Sequence, residues 1–184
     1  MPSYTSDREW SDRFIPEIKR IVGPYLLQPA DLELDNTEAT DLIVLRGHDM
    51  RIAARVRRFG YADRYPFDIT MRARRGSGAK TELSKIVEGF GDWFFYGHAD
   101  QTETRIDLWW LIDLANFRAA LIRSSMNGER LSCGDKNNGD GTYFKWFDLR
   151  SFPRTPPILI ASSRMLSDDP SIIPAADADE SARA

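Results

Sequence analysis

Two stretches in which apolar and polar residues alternate constrain the fold of this chain more than any other feature. In residues 51–58 apolar side chains alternate with arginines, and the same alternation recurs in residues 67–74. Successive side chains of a β-strand point to opposite faces, so each stretch is predicted to be a strand with one apolar and one polar face. The polar positions are Arg51, Arg55, Arg57, Asp68, Thr70, Arg72 and Arg74. We expect the two strands to share one polar sheet face.

The remaining pattern predicts an α+β protein. Before residue 100 the predicted elements are a helix over 6–22 with a kink or a restart at Pro16, a buried strand over 42–45, the two alternating strands, a helix from about Thr81 to Gly89, and a strand over 93–97. After residue 100 they are a strand over 106–112, a helix from its N-cap Asp113 to about Ser125, an aromatic strand over 143–149 and a short apolar segment over 158–160. We expect a mixed β-sheet flanked by helices, with an αβββαβ core followed by additional C-terminal strands and a helix.

Length and composition limit the class of protein. A chain of 184 residues with 42% hydrophobic content can form one ordinary domain. We expect a single α+β domain over residues 1–166 and a disordered acidic tail over residues 167–184. The single cysteine cannot form an internal disulfide, and no apolar leader precedes the charged N-terminal segment, which favours a cytoplasmic location. The apolar runs are shorter than the roughly 20 residues that cross a bilayer, so we expect no membrane partner.

The charge of the chain is unevenly distributed. Residues 46–85 contain 11 Lys and Arg against 4 Asp and Glu, a local net charge of +7, whereas the whole chain has a net charge of −3. A local positive field attracts polyanions even when the whole protein is acidic, so nucleic acid is the predicted partner. The alternative interpretation is a solvated strand face with scattered arginines.

The order of elements over residues 6–97, with Asp41 at the start of the strand over 42–45, resembles the core of the PD-(D/E)XK nuclease superfamily, the restriction-endonuclease-like fold. In that family an acidic residue opens a strand of a hairpin and a (D/E)-x-K tripeptide lies on a neighbouring strand. Asp41 is similar to the first element in the form seen in Holliday-junction resolvases. Where the tripeptide would fall, this chain has Ala54-Arg55-Val56-Arg57, which contains no carboxylate. The resemblance is therefore to a degenerate member of the superfamily.

The resemblance implies a magnesium site with Asp41 as one ligand and either Asp68 or Glu82 as the second, because Mg²⁺ prefers oxygen ligands. Lys85 or Arg55 would then stabilise negative charge in the transition state. Two alternatives stay open: Asp41 as a turn-capping residue, and Glu82 with Lys85 as an exposed ion pair at helical spacing. The hairpin register also stays open. A loop over 47–49 places Asp41 opposite Arg55, and a loop one residue longer moves Asp41 to the core side.

Two functions follow as hypotheses. The first is metal-dependent cleavage of nucleic-acid phosphodiesters, a hydrolase activity. The second is a catalytically inactive nuclease-fold module that binds nucleic acid or a protein partner through the basic sheet face. The residues predicted to contact the nucleic-acid backbone are Arg57, Arg72, Arg74, Arg75 and Lys80.

Consecutive aromatic residues occur over 93–96 and at 109–110. We expect these rings to pack in the core, because only an exposed ring beside the arginines would stack on a base.

Overall fold

The structure, a computed structural model, describes residues 9–29, 42–44, 50–128, 130–138 and 141–164. The chain divides into two compact units, Met1–Met50 and Arg51–Ala184. The single domain expected over residues 1–166 stays a prediction. The tail expected over 167–184 lies outside the described residues.

The first unit contains the predicted N-terminal helix in two pieces. Residues 9–12 form one helical turn, and helix α1 runs over Ile15–Val22. Pro16 lies in the first turn of α1, where its missing N–H removes no intrahelical hydrogen bond. Of the predicted kink or restart at Pro16, the structure has the restart. Ile18 and Val22 are buried and lie one turn apart on the same face of α1.

Two short strands follow in the first unit. After a 3₁₀ turn over Gly23–Leu26, strand β1 (Leu27–Pro29) pairs antiparallel with β2 (Leu42–Val44). Strand β2 coincides with the predicted strand over 42–45, whereas β1 was not predicted. A three-residue strand with a proline at its end has little local signal in the sequence.

The second unit contains the elements that carry the predicted site. In chain order they are β3 (Ile52–Arg57), α2 (Tyr61–Arg64), β4 (Asp68–Arg74), α3 (Glu82–Val87), β5 (Trp93–Ala99), β6 (Ile106–Asp113), α4 (Leu114–Asn127), β7 (Cys133–Asn137), β8 (Tyr143–Asp148) and β9 (Leu159–Ser162). They confirm the α+β class and the additional C-terminal strands and helix. Helix α2 and strand β7 were not predicted.

The described strands of the second unit form two sheets. A four-stranded sheet has the order β3-β5-β6-β9, with β3 parallel to β5 and the other pairs antiparallel. A three-stranded sheet has the order β4-β8-β7 and is antiparallel throughout. All residues of β5 are buried, as expected of a central strand.

One prediction about strand partners is wrong. The expected common sheet face of β3 and β4 is not formed, because β3 pairs with β5 and β4 pairs with β8 in a different sheet. The hairpin expected between the strands over 42–45 and 51–58 includes residues 45–49, which lie outside the described residues, so it stays a prediction. The alternation itself is found in β4, where Ile69 and Met71 are fully buried and Arg72 is half-buried. Alternation identifies the apolar face of a strand and carries no information about its partner.

One hydrophobic core lies within the second unit. It contains side chains from both sheets and from helices α3 and α4, including Ile69, Met71, Ile86, Phe94, Trp110, Phe117 and Phe147. Helix α4 begins at the predicted N-cap, where the Asp113 carboxylate accepts a hydrogen bond from the N–H of Asn116 at 2.8 Å. The aromatic residues over 93–96 and at 109–110 are all buried, which confirms that they pack in the core.

Two glycines provide a matched test of the three-stranded sheet. A Cβ at Gly134 would lie 2.7 Å from Nε1 of Trp146, whereas a Cβ at Gly76 would meet nothing within 4 Å. We expect Gly134→Ala to lower the free energy of unfolding by about 1–3 kcal/mol, because the indole ring must move. We expect Gly76→Ala to change it by less than about 1 kcal/mol. Urea denaturation measures both, and equal stability of the two variants would contradict the packing of Trp146 over β7.

Candidate functional site

The carboxylate of Glu82, at the start of α3, connects strands from the two sheets of the second unit. Its Oε2 accepts a hydrogen bond from the guanidinium of Arg55 on β3 at 2.6 Å. The same oxygen accepts a hydrogen bond from the backbone N–H of Arg72 on β4 at 3.1 Å. The side chains of Arg55 and Glu82 are 17% and 22% exposed, so the pair is largely shielded from water. Hydrogen bonds between charged groups are stronger than neutral ones, and this one links β3 to α3 and β4.

The N-cap of α3 fixes the position of Glu82. Thr81 is buried, and its Oγ1 accepts a hydrogen bond from the N–H of Ser84 at 3.3 Å. The hydroxyl of Ser84 in turn accepts from the N–H of Thr81 at 2.8 Å, which completes a capping box. The Thr81 hydroxyl also donates to the carbonyl of Ala73 on β4 at 3.3 Å. The first residue of α3 is thereby held next to the end of β4.

An aromatic ring on β8 lies beneath two arginines at this junction. The guanidinium carbons of Arg55 and Arg72 are 5.3 and 5.5 Å from the ring centroid of Phe144. Cation–π contacts of this kind contribute about 0.5–2 kcal/mol each, with the larger values at desolvated sites. Phe144 faces Arg72 directly across the β4–β8 ladder. The ladder therefore places the ring where both guanidinium groups contact it.

Arg57, two residues after Arg55 on β3, contacts a different ring. Its guanidinium carbon lies 4.1 Å from the ring centroid of Tyr61 on α2. Its Nε is buried and has no hydrogen-bond partner. Within the described part of the chain, no carboxylate lies at ion-pair distance from Arg57, whereas the neighbouring Arg58 pairs with Glu103 at 3.2 Å. The positive charge of Arg57 is thus not neutralised by a described acidic group.

A buried histidine faces Arg57 on the adjacent strand. His98 is opposite Arg57 in the β3–β5 ladder, is 2% exposed, and has no hydrogen-bond partner at either ring nitrogen. Burial, and secondarily the positive charge of Arg57, lowers the pKa of His98 from 6.5 to about 4. The imidazole is therefore neutral at pH 7.

Tyr96, which packs edge-on against His98, is also buried. Its hydroxyl lies 3.0 Å from Oγ1 of Thr70, and this polar contact connects β5 of the four-stranded sheet to β4 of the three-stranded sheet. Burial raises the pKa of Tyr96, so the phenol stays protonated.

The remaining predicted basic residues differ in their neighbours. Arg74 is exposed, and its guanidinium carbon lies 4.1 Å from the ring centroid of Tyr143. Arg75 has a buried Nε without a hydrogen-bond partner. Lys80 forms an exposed ion pair with Glu88 at 2.6 Å, and Lys85 is exposed. Arg74 therefore presents its charge to solvent, whereas Lys80 is paired.

The two described candidate carboxylates lie apart. Asp68 is at the start of β4, opposite Asp148, and four residues before Arg72, whose N–H donates to Glu82. Four strand residues span about 13 Å. Burial first, and then the negative charge of Asp148, raises the pKa of Asp68, and the nearby Arg150 opposes this shift. Asp68 and Glu82 therefore do not fit one shared metal site.

The predicted magnesium site depends on Asp41, which lies outside the described residues. Over the described ranges, no group of three or more His, Cys, Asp and Glu side chains is arranged to hold a metal ion. An oxygen of Glu82 already accepts two hydrogen bonds, from Arg55 and from the backbone of Arg72. The metal-binding and catalytic roles of Asp41, Asp68, Glu82, Lys85 and Arg55 remain predictions.

Several residues of this site were not found by sequence reasoning. Tyr61 lies in a short helix without a clear periodic signal, and His98 is one of two isolated histidines. Tyr143 and Phe144 belong to a strand that was predicted from its aromatic residues. Their contact with β4 was not predicted, because strand pairing between distant segments has no local signal.

No protein-family model, no curated protein and no solved structure matches this chain. The resemblance to the PD-(D/E)XK superfamily therefore remains an expectation based on the sequence. Among the described residues, no helix combines the length and the apolar character needed to cross a membrane.

Substitution of Glu82, with Glu88 as the control, tests whether the Glu82 carboxylate has a structural role or is a metal ligand. Glu82→Gln leaves the half-buried Arg55 without its charged partner, and we expect the free energy of unfolding to fall by about 1–3 kcal/mol. Glu88→Gln removes an equally short but exposed pair with Lys80, and we expect a loss of less than about 1 kcal/mol. Urea denaturation in EDTA measures both. A gain in stability for Glu82→Gln would instead indicate a carboxylate held in a repulsive, metal-binding cluster.

The buried histidine predicts a pH dependence of stability. The pKa of His98 is about 4 in the folded state and 6.5 in the unfolded state, so between these values the unfolded state binds more protons. We expect the free energy of unfolding to fall by roughly 3 kcal/mol from this group as the pH drops from 7 to 4. Urea denaturation at several pH values measures this decline.

In His98→Leu the corresponding part of the decline should be absent. Other acidic groups titrate equally in both proteins, so the difference between the two pH profiles isolates the histidine. His48→Gln, which removes the other histidine, should keep the wild-type profile. Parallel pH profiles for wild type and His98→Leu would show that the imidazole is not buried in a neutral form.

Proposed function

We propose that this chain is a non-enzymatic module that binds the phosphate backbone of nucleic acid through arginines of β3 and β4. The observation that supports this proposal is the contrast between two kinds of arginine. Arg55 is paired with the shielded carboxylate of Glu82, whereas Arg57 and Arg74 stack on tyrosine rings and have no described carboxylate at ion-pair distance.

A stacked guanidinium is suited to phosphate binding. The ring covers one face of the planar group, so its in-plane N–H donors remain directed outward in the fork that matches two phosphate oxygens. The stacking also restricts the side chain before the ligand arrives, which lowers the entropy cost of binding. Arg57 and Arg74 each have a guanidinium carbon 4.1 Å from a ring centroid. Because Nε of Arg57 is buried, its terminal N–H groups are the donors that a phosphate could reach, whereas Arg74 is exposed as a whole.

The positions of the arginines support an extended ligand. Arg57 and Arg74 are each two residues beyond the residue of their strand that Glu82 contacts, or about 7 Å along β3 and β4. Arg72, two residues before Arg74 on β4, has its guanidinium over Phe144. The surrounding segment of residues 46–85 has a net charge of +7, which attracts a polyanion.

The carboxylates favour binding without cleavage. Metal-dependent cleavage would need a second carboxylate beside Asp41. The two described candidates, Asp68 and Glu82, lie apart and have different neighbours. Glu82 accepts hydrogen bonds from Arg55 and Arg72, and Asp68 lies opposite Asp148. A binding module uses the same arginines and needs neither acid as a ligand.

The double variant Arg57→Gln/Arg74→Gln tests the proposal. We expect its affinity for a labelled oligonucleotide to fall about tenfold or more, and the slope of log affinity against log salt to become shallower by about 1.5–2, because two phosphate contacts are lost. Fluorescence anisotropy in EDTA at several salt concentrations measures both quantities. The control Arg105→Gln/Arg130→Gln has the same change of charge at exposed positions outside β3 and β4, and it should bind like the wild type.

Two outcomes would contradict the proposal. Equal losses in the two double variants would mean that only the total charge matters. Cleavage of the oligonucleotide on addition of MgCl₂, lost in a folded Asp41→Ala variant, would instead establish the nuclease activity that the resemblance implies.

A further inference from the structure

Three exposed aromatic side chains lie between β3 and β4. Phe59, Tyr61 and Tyr65 are 51%, 37% and 48% exposed. We refer to residues 59–65 as the aromatic turn. The aromatic residues of β5 and β6, in contrast, are all buried. The aromatic turn therefore has the exposed rings beside arginines that base stacking requires. These rings were not predicted from the sequence.

The backbone of the aromatic turn is held in place. Gly60 has a φ of 86°, a left-handed conformation that glycine adopts without strain and that begins helix α2. The N–H of Tyr65 donates to the carbonyl of Tyr61 at 2.9 Å, so these two residues lie one helical turn apart. Ala62 packs against the core, and Nε1 of the fully buried Trp110 donates to the carbonyl of Pro66 at 3.1 Å. The rings are thus presented on an anchored backbone.

The charges around the aromatic turn favour a polyanion. Arg57 and Arg64 are next to the rings in the chain, Asp63 is the one acidic residue within residues 59–65, and Arg58 is paired with Glu103. The guanidinium of Arg57 covers one face of the Tyr61 ring. Interleaved rings and cations bind single strands, because the cations contact phosphates while the rings stack on unpaired bases. An acidic polypeptide would satisfy the cations but would have no planar group for the rings.

We infer that the aromatic turn is a base-stacking surface and that the ligand of this chain is single-stranded nucleic acid. This inference rests on the proposed function, and it assigns the substrate class of the same arginine-rich surface. In a duplex the bases are paired and stacked on one another, so their faces are not accessible to Phe59 or Tyr65. The turn therefore favours unpaired bases over duplexes at the same salt concentration.

The double variant Phe59→Leu/Tyr65→Leu tests the inference, because leucine keeps apolar bulk and lacks a π-face. Anisotropy titrations use four probes of one length: a DNA single strand, an RNA single strand, a DNA duplex and an abasic strand. The wild type should bind the single strands more tightly than the duplex and the abasic strand. The variant should lose about tenfold or more in affinity for the single strands and change by less than about twofold for the abasic strand.

Two controls accompany the double variant. Phe90→Leu removes an equally exposed ring outside the aromatic turn and should leave every affinity unchanged. Tyr65→Trp keeps a larger π-face at the same position and should retain or increase the affinity for single strands. Thermal unfolding of each variant verifies that the fold is intact.

The outcomes separate this inference from the proposed function. Equal binding of single, duplex and abasic strands by the wild type would overturn the inference and leave the arginine-based function standing. Failure to bind any of the four probes would overturn the proposed function itself. Tight binding of polyglutamate that is weakened equally by Phe59→Leu/Tyr65→Leu would also overturn the inference, because it would identify an acidic polypeptide as the partner.

Discussion

The junction between β3, α3 and β4 depends on one shielded carboxylate. Glu82 accepts a hydrogen bond from the Arg55 guanidinium and another from the Arg72 backbone, and so connects strands that belong to different sheets. Removing the charge of either Arg55 or Glu82 leaves the other charge unpaired at a site where both side chains are only about one-fifth exposed to water. Arg57, which contacts Tyr61, is two residues after Arg55 on β3, and Arg74, which contacts Tyr143, is two residues after Arg72 on β4.

The contacts at this junction support the proposal of binding without cleavage. The carboxylate of Glu82 accepts two hydrogen bonds, and Arg57 and Arg74 contact aromatic rings instead of described carboxylates. An arginine that stacks on a ring keeps its charge available to a ligand, whereas an arginine paired with a carboxylate does not. The further inference adds the aromatic turn, whose rings are exposed on an anchored backbone next to Arg57 and Arg64 in the chain. Under the proposed function, phosphate contact and base stacking would act on neighbouring parts of one ligand.

The sequence predicted features that local physics determines. The alternation in β4, the N-cap at Asp113 and the interruption of the first helix near Pro16 were predicted and are found. Each depends on residues within one or two turns of the chain. The local positive charge of residues 46–85 was found from the sequence because charged residues can be counted directly.

Features that depend on distant partners were not predicted. The pairing of β4 with β8 and of β3 with β5 separated two strands that the pattern placed in one sheet. The contact of Glu82 with Arg55 was not predicted, because it joins residues from separate elements. The exposed rings of the aromatic turn were overlooked for the same reason, since exposure depends on the whole packed structure. Strand periodicity gives the face of a residue, and only the tertiary arrangement gives its neighbour.

The most direct test of the account is an NMR titration that observes the backbone amide of Arg72 and the guanidinium groups of Arg57 and Arg74. The account predicts that a single-stranded oligonucleotide in EDTA shifts the two guanidinium resonances, and that MgCl₂ alone leaves the Arg72 amide unchanged, because Glu82 stays hydrogen-bonded to it. A shift of the Arg72 amide on addition of MgCl₂, together with oligonucleotide binding that requires the metal, would contradict it.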